Sequence, residues 1–457
     1  VFILKRQFII ASAKRPGFAP EKKNLSHSTF TFLMAVAEGK RSSTINAPSM
    51  GAAFGLQTIE APPARQVKVT TDKKMSVVLL DDPSMLEDHK EAWDELTMRA
   101  AEPNPFYESW MLLPALRRLG SENVRVALVY ARNSARPDGM PLLCGLFPLE
   151  FSPRYKGLPV EVLRLWQHTY CSLSTPLLRY DCARETLMAF FDWIERAGAP
   201  LIEFQCAGAD GPFHHALIDV INQRASLSFV SDAHTRAMFR PRSDFDSYLR
   251  AAASREHRKD MRRKEKRLSD MGRIRYSSLE CDEELHEWIE EFLELESAGW
   301  KGRNRSALAC EDASREYFIE IVSEAYRRGK LDMLALRLDG RPIAMKCNFL
   351  AGSGSFAFKI AFDEDFARSS PGVLLELENL RRLHRESEVQ WMDSCARATH
   401  PMVNRLWLDR RAIQTTLISS GSATGDLIVS LMPLVRWLHR RLRKPLREIR
   451  ETEVNEL

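Results

Sequence analysis

The 457-residue chain reads as an α/β (α+β) protein, and three observations predict this. Strand-period runs alternate with helix-period runs along most of its length. A hydrophobic content of 44 % with 28 % charged residues is a globular composition. The length exceeds one ordinary domain, so two domains of about 150 to 200 residues are expected. The net charge of +5 is mild for this length; it says little about nucleic acid and is compatible with an anionic small molecule.

Residues 1–74 are rich in Lys, Arg, Ser, Ala and Pro and carry few acids, a composition that predicts disorder or an extension ahead of a start at Met34, Met50 or Met75. The ordered part opens with a strand at 76–80, then a helical pattern over 83–101 in which Leu86, Trp93 and Leu96 share a face. A helix over 110–119 ends at Gly120. Strands follow at 124–130 and 142–150, both rich in aliphatic residues, then an apolar-rich segment at 160–167. A helix over 185–197 stops at Gly198 and Pro200, a strand occupies 201–205, a helix 213–225, and a strand lies near Phe229. The first half, 75–240, closes near Arg240.

A long helix begins at Asp244, with Phe245, Tyr248, Leu249, Met261 and Leu268 on its apolar side. Next come a strand at 274–278, a helix at 282–297, a loop around Trp300, and a helix at 313–328 ended by Gly329. Strands at 331–338 and 341–350 meet at Asp339-Gly340, a hairpin signal, and a third strand covers 355–362. The remaining elements are a helix at 371–388, a strand at 389–394 and a last helix around 402–408. The second half is read as 241–420, with a basic amphipathic tail at 421–457.

The run KIAFDEDFARSSPGVLLEL, Lys359 to Leu377, combines a strand, a polar loop and a helix opened by Ser370-Pro371-Gly372. Ser370 is the expected N-cap, Pro371 occupies the first helical position where its missing N–H costs nothing, and Gly372 allows close approach. Free first-turn amides and the helix dipole suit phosphate. Simple capping explains the same residues.

Phe245-Asp246-Ser247-Tyr248-Leu249, the basic run Arg255 to Arg267, Gly299-Trp300-Lys301-Gly302-Arg303 and Leu336 to Ala344 precede this junction. With the upstream Asn104-Pro105-Phe106-Tyr107-Glu108, their order resembles the GNAT-superfamily acetyltransferases of the cellulose-biosynthesis-associated type, distant relatives of the Fem-type peptidoglycan aminoacyltransferases. The resemblance runs from about Met75 to Ile418. It implies tandem GNAT-like halves, each a mixed sheet flanked by helices, and an acyl-CoA-dependent N-acyltransferase, with acetyl-CoA as co-substrate, an amine acceptor and no metal. On that reading Ser369, Ser370, Gly372, Val373, Lys359, Arg258 and Arg262 bind the donor, while Trp300, Lys301, Asp363 and Arg397 line the substrate groove. Asp393 or His400 handles the proton. In place of the family's glycine-rich acidic run the chain has Asp393-Ser394-Cys395-Ala396-Arg397, which leaves acceptor and base open.

Each of these residues has a plainer part to play. The basic run can be a solvated helix, Trp300 a core anchor, Lys359 and Asp363 a surface pair, and His400 before Pro401 a capping residue. Cys395 with His400 is a weaker nucleophile–base alternative. Eight scattered cysteines without a C-x-x-C pair read as reduced thiols of a cytoplasmic protein. DNA binding lacks a recognition module. The tail, apolar over 427–438 and basic thereafter, suits either peripheral contact with the inner face of a membrane or a docked helix. Two rivals remain: an aminoacyl-tRNA-dependent transferase, and an inactive partner of a polysaccharide machine.

Overall fold

The computed structural model describes residues 75–120, 122–132, 141–385 and 388–454, so the expectations for residues 1–74 lie outside the described residues. One order of elements occurs twice. The first repeat runs β1 (Met75–Leu80), α1 (Lys90–Met98), α2 (Ser109–Arg118), β2 (Val124–Ala131), β3 (Leu142–Ser152), β4 (Val162–Leu165), β5 (Leu177–Leu178), α3 (Ala183–Ala197), β6 (Leu201–Gly208), α4 (Pro212–Arg224) and β7 (Ser228–Phe239). Two connecting helices follow, α5 (Phe245–Ala252) and α6 (Arg255–Ser269). The second repeat runs β8 (Ile274–Ser278), α7 (Leu285–Ala298), α8 (Trp300–Arg303), α9 (Asp312–Arg327), β9 (Leu331–Leu338), β10 (Arg341–Ala351), β11 (Gly354–Phe362), α10 (Pro371–Arg385), β12 (Trp391–Asp393), α11 (Pro401–Leu406) and β13 (Asp409–Ser419), and α12 (Ala423–Val454) ends the chain.

All strands join one mixed sheet in the order β1-β2-β3-β4-β6-β13-β7-β12-β11-β10-β9-β8, with β5 beside β3. Read from either end, the order gives five strands of one repeat, and there the repeats exchange. β13 of the second repeat pairs with β6, and β7 of the first pairs with β12. The exchanged strands pair with each other, antiparallel, from Asp409↔Met238 to Ile418↔Ser228. The described residues accordingly fall in one compact unit.

Strand alternation sets two layers. Val124, Val126 and Leu128 of β2 and Met333 and Ala335 of β9 face a core shared with α1, α2, α7 and α9 of both repeats. Ala127 and Val129 face α3 and α4 on the other side, and Leu334 and Leu336 face α5, α6, α10 and α11. The first turns of α12 bury Ile428, Val429 and Met432 against Tyr155, Leu201 and Leu417. Among the described residues no helix is long and apolar enough to cross a membrane.

Several expectations need correction. The helix expected from Asp244 is two helices, because Ser254 accepts the His257 N–H as an N-cap and starts α6 afresh. The helical pattern at 83–101 begins as a 3-10 turn capped by Asp82 and becomes α-helical at Lys90. The Trp300 loop contains the short helix α8. Strands β5 and β13 were not anticipated. At the β9–β10 turn, Asp339 and Gly340 have φ of 50° and 89°, the pair of positive angles a tight hairpin requires.

A buried ionic network closes the exchange. Asp393 of β12 is 0 % exposed and accepts from Arg236 Nη2 of β7 at 2.7 Å and Arg411 Nη1 of β13 at 2.9 Å. The two arginines lie opposite each other in the ladder, and Arg411 also reaches Glu102 at 3.3 Å. Burial works to raise the Asp393 pKa, but the two guanidiniums together hold it below the usual carboxylate value. That stabilisation is present above the unfolded value and is lost as pH falls through the lower folded one. Asp393→Asn is therefore expected to cost about 3–5 kcal/mol. Urea unfolding should show a lower midpoint at unchanged slope near neutral pH, with the difference from wild type shrinking in acid.

Candidate functional site

Within each repeat one parallel strand pair splits. β4 and β6 pair only from Val162↔Leu201 to Arg164↔Glu203, and β11 and β12 only from Gly354↔Trp391 to Phe356↔Asp393. The consequences differ. In the first repeat β4 and β5 are two pieces of one line of pairing along β3, and the chain between them, 166–176, is turned into the split. There Ser174 donates to Cys206 O and Gly208 to Thr175 Oγ1, while Asn104 Nδ2 holds the Leu173 and Thr175 carbonyls. In the second repeat β11 continues to Phe362 with a one-residue bulge at Phe358, and from Ala357 onward no strand among the described residues pairs with that edge.

The α10 end of this gap is the loop marked in the sequence. Ser370 adopts the left-handed conformation, with φ 49° and ψ 56°, and its carbonyl accepts from both Val373 and Leu374. Its hydroxyl leans back toward Ala367 O at 3.5 Å, so it is not the expected side-chain cap. The Gly372 N–H has no acceptor among the described residues. A Cβ on Gly372 would meet Phe362 at 3.5 Å, an ordinary contact pointing into the sheet, so the glycine seats α10 on β11 and does not clear the approach to the amide. Ser369 is buried. α10 is fixed from below by buried Lys346, whose Nζ meets Glu376 at 2.5 Å, while Glu376 also accepts from Asn379 and the Trp407 indole.

On the other face lies a cluster the sequence reading did not assemble. Glu296 of α7 is 2 % exposed; its Oε1 takes Lys301 Nζ at 2.9 Å and Lys359 Nζ at 3.0 Å, and its Oε2 takes the Leu308 N–H. Burial works to raise the Glu296 pKa, but the two lysines and the amide bring it below the ordinary carboxylate value. Burial also pulls the Lys359 pKa down. Lys301 donates in addition to Ile360 O at 2.9 Å, and Lys359 lies 5.2 Å from the centroid of the Tyr170 ring, which belongs to the first repeat. Lys301 reaches this position because α8 folds tightly back on α7; a Cβ on Gly302 would stand 1.8 Å from Ser297 O. Glu364 of the β11–α10 loop holds α8 in place, accepting from the Trp300 N–H and from Arg303, both at 2.6 Å. A cavity of about 20 Å³ between Glu296, Trp300, Lys301, Ile360 and Phe362 has room for a single water.

The structure brings Lys359, Lys301 and Trp300 together through Glu296 and Glu364, while the Ser369–Val373 loop stands on the other face of β11. It separates the others. Asp393 is sealed in the ionic network, with its remaining oxygen taking the Cys395 N–H. His400 lies across the sheet, where its electrostatic neighbours are Glu376 and Lys346; burial lowers its pKa. Cys395 stays beside Asp393, and burial pushes its thiol far up, so the Cys395–His400 alternative has no geometry. Asp363 caps the loop turn and pairs with Arg341. Arg397 is exposed. Arg258 is spent on the Arg250 and Ala253 carbonyls, while Arg262 is exposed. Among the described residues no cluster of His, Cys, Asp and Glu is arranged for a metal ion.

Glu296 had a legible signal. It sits in register with Trp288, Ile289, Phe292 and Leu293 on the apolar side of α7, where a lone carboxylate must find a cation. Tyr170 and Glu364 had none, because both act on elements far away in sequence.

Residues 255–400, about a third of the chain, match the family described as acetyltransferase (GNAT) domain. The matched span runs from α6 to the residue before α11, and so includes both the Ser369–Val373 loop and the lysine–glutamate cluster. Among solved structures, the fold is similar to a conserved protein of unknown function from Bacteroides thetaiotaomicron, at 10 % identity and TM-score 0.47, covering 75 % of this chain and 99 % of that one. It is also similar to FemX, at 12 % identity and TM-score 0.46 over 72 % and 95 % of the two chains. A tandem GNAT protein from the clavulanic acid biosynthesis pathway aligns at 13 % identity and TM-score 0.37 over 76 % and 100 %. No curated protein matches the sequence.

Gly302→Ala is expected to cost about 1–3 kcal/mol, because the added methyl pushes α8 off α7. The same displacement removes Lys301 from Glu296. Denaturant midpoints measured for Gly302→Ala and Lys301→Met, alone and combined, should be less than additive.

Proposed function

We propose that the protein is an acyl-CoA-dependent N-acyltransferase whose donor occupies the gap beside β11. The observation that carries this is the asymmetry of the two splits: chain fills the first, while the second opens between an unpartnered helix-N-terminal amide and a half-buried lysine pair. The first repeat therefore serves as wall rather than as a second donor site.

The donor diphosphate would lie at the α10 N-terminus, against the Gly372 amide with Ser369, Ser370 and Val373 around it, where the helix dipole favours negative charge. Its amide-bearing arm would run along the bare β11 edge and replace Lys301 on the Ile360 carbonyl. The acyl carbonyl then comes under Lys359, whose ammonium polarises it. A neutral acceptor amine forms the new C–N bond, the C–S bond breaks, the thiolate leaves with CoA, and the amine proton passes to solvent. The resemblance described above would put such an acceptor in polysaccharide or envelope biosynthesis.

A second reading has one observation in its favour. Arg255, Lys259, Arg262 and Lys266 are all exposed along one stripe of α6, at helical spacing. Arg267 of the same helix donates to Arg368 O in the anion loop. A polyanionic donor such as aminoacyl-tRNA fits that stripe, and transfer assays with acetyl-CoA against charged tRNA separate the two.

Two measurements test the main reading. Asp tolerates the left-handed conformation and complements a helix N-terminus, so Ser370→Asp should leave the melting temperature unchanged or raise it. It should also weaken acetyl-CoA affinity at least tenfold by charge repulsion, read by calorimetry; unchanged affinity refutes the donor position. Lys359 must be charged to polarise a carbonyl, so activity should fall as pH rises through its depressed pKa, below 10.5, and rise from the acid side as the amine deprotonates. Lys359→Met should lower kcat about 100-fold or more, by the scale of lost carbonyl stabilisation, while leaving donor affinity intact.

A further inference from the structure

The first repeat faces the lysine–glutamate cluster through the segment 166–174. His168 in this segment is 5 % exposed, and its Nδ1 accepts the Tyr170 N–H at 3.3 Å, which puts the proton of the neutral ring on Nε2. Burial lowers its pKa to about 3, so the ring is neutral across the working range. The buried Nε2 has no hydrogen-bond partner. Across from it, Tyr317 of α9 is 0 % exposed, and its buried hydroxyl is likewise without a partner. The two rings meet edge to face at 5.6 Å.

Aromatic surface surrounds both groups. Trp166 lies 5.2 Å from His168, and Tyr170 stacks on Tyr317 at 5.7 Å and also meets Phe358, the Lys359 ammonium and the Ser314 side chain. Two unpartnered donors in one aromatic enclosure, one from each repeat, are unusual in a folded interior, where buried polar atoms are almost always satisfied. Their position behind Tyr170, next to the lysine assigned to the acyl carbonyl, is on the side from which an acceptor must come.

We propose that His168 Nε2–H and Tyr317 O–H form an acceptor subsite that takes an uncharged oxygen, a hydroxyl or amide carbonyl, carried close to the reacting amine. Both groups are neutral, so a carboxylate or phosphate would be buried there without a counter-charge, Lys359 being already paired with Glu296. A hydrocarbon amine would leave both donors unsatisfied, and discrimination of that kind is steep. Tyr170, between subsite and lysine, is the positioning residue that sets the distance from oxygen to amine. The proposal rests on the acyltransfer reading for its purpose, but its test does not require the donor.

The full chain is titrated calorimetrically, without CoA, with three amines: D-glucosamine, which presents hydroxyls, L-alaninamide, which presents an amide carbonyl, and cyclohexylamine, which presents neither. At least one oxygen-bearing amine should bind tenfold or more tightly than cyclohexylamine, and which one does so identifies the source of the oxygen. Tyr317→Phe, which removes a single buried hydroxyl, should erase most of that preference with an unchanged or higher melting temperature. Equal affinity for all three amines, no binding of either oxygen-bearing one, or a preference that survives Tyr317→Phe each overturns the subsite. Failure of acetyl-CoA to bind overturns the donor reading instead, and the two results are independent.

Discussion

The carboxylate of Asp393, held between one guanidinium from each exchanged strand, is the constraint on which the architecture turns. A sheet assembled from two similar repeats has an obvious competing arrangement, in which β7 stays beside β6 and β13 beside β12. The exchanged order brings Arg236 and Arg411 face to face, and two arginines directly opposite in a ladder are tolerable only with an anion between them. Asp393 supplies it from β12, and Glu102 supplies a second carboxylate from the first repeat. Buried ion pairs add little net stability over apolar packing. Their value here lies in register, because a one-residue slip of β13 would turn Arg411 to the other face and leave Asp393 short of a cation.

Register matters because β12 is only three residues long. Its short pairing with β11 makes the gap, so whatever fixes β12 also fixes the place where the sheet opens. The contrast with the first repeat follows from local sequence. The segment 166–176 leaves the β4–β5 line and hydrogen-bonds into the first split, whereas the Gly354–Phe362 strand carries only a one-residue bulge at Phe358. One scaffold thus yields a filled split and an open one, and the filling segment carries His168 and Tyr170 across to the open one.

Much of this was legible in the sequence, and the failures have physical causes. Strands β8 and β9 fall where alternation predicts them, and Asp339-Gly340 forms the hairpin its composition demands. Strand β13 was missed because it opens with Asp409-Arg410-Arg411, charges that read as surface until Asp393 and Glu102 are seen to neutralise one of them inside. The break between α5 and α6 turned on a single serine cap within a continuous helical pattern. The Ser369–Val373 loop and Lys359 stand out in the sequence because a strand, loop and helix junction is a local feature, and their role is the one proposed above. Asp393 and His400 looked like neighbours in sequence, yet the sheet passes between them. The Glu296 cluster draws on α7, α8 and β11, and no local pattern announces such a meeting.

The two sides of the gap are mechanically joined, and on the proposed reading this bears on how a thioester would displace Lys301. Glu364 belongs to the loop that leads into α10, and it holds the N-terminus and Arg303 of α8, the helix that carries Lys301. A diphosphate drawn to the Gly372 amide would load the same loop from its other end. Any shift of that loop moves Glu364, and with it the helix whose lysine blocks the Ile360 carbonyl. Lys359 shares the Glu296 oxygen with Lys301 but also lies against the Tyr170 face, so it keeps both contacts when Lys301 leaves. On the proposed reading, donor binding on one face would therefore draw Lys301 off the β11 edge on the other, and an acyl donor that lacks the diphosphate would leave Lys301 on the Ile360 carbonyl.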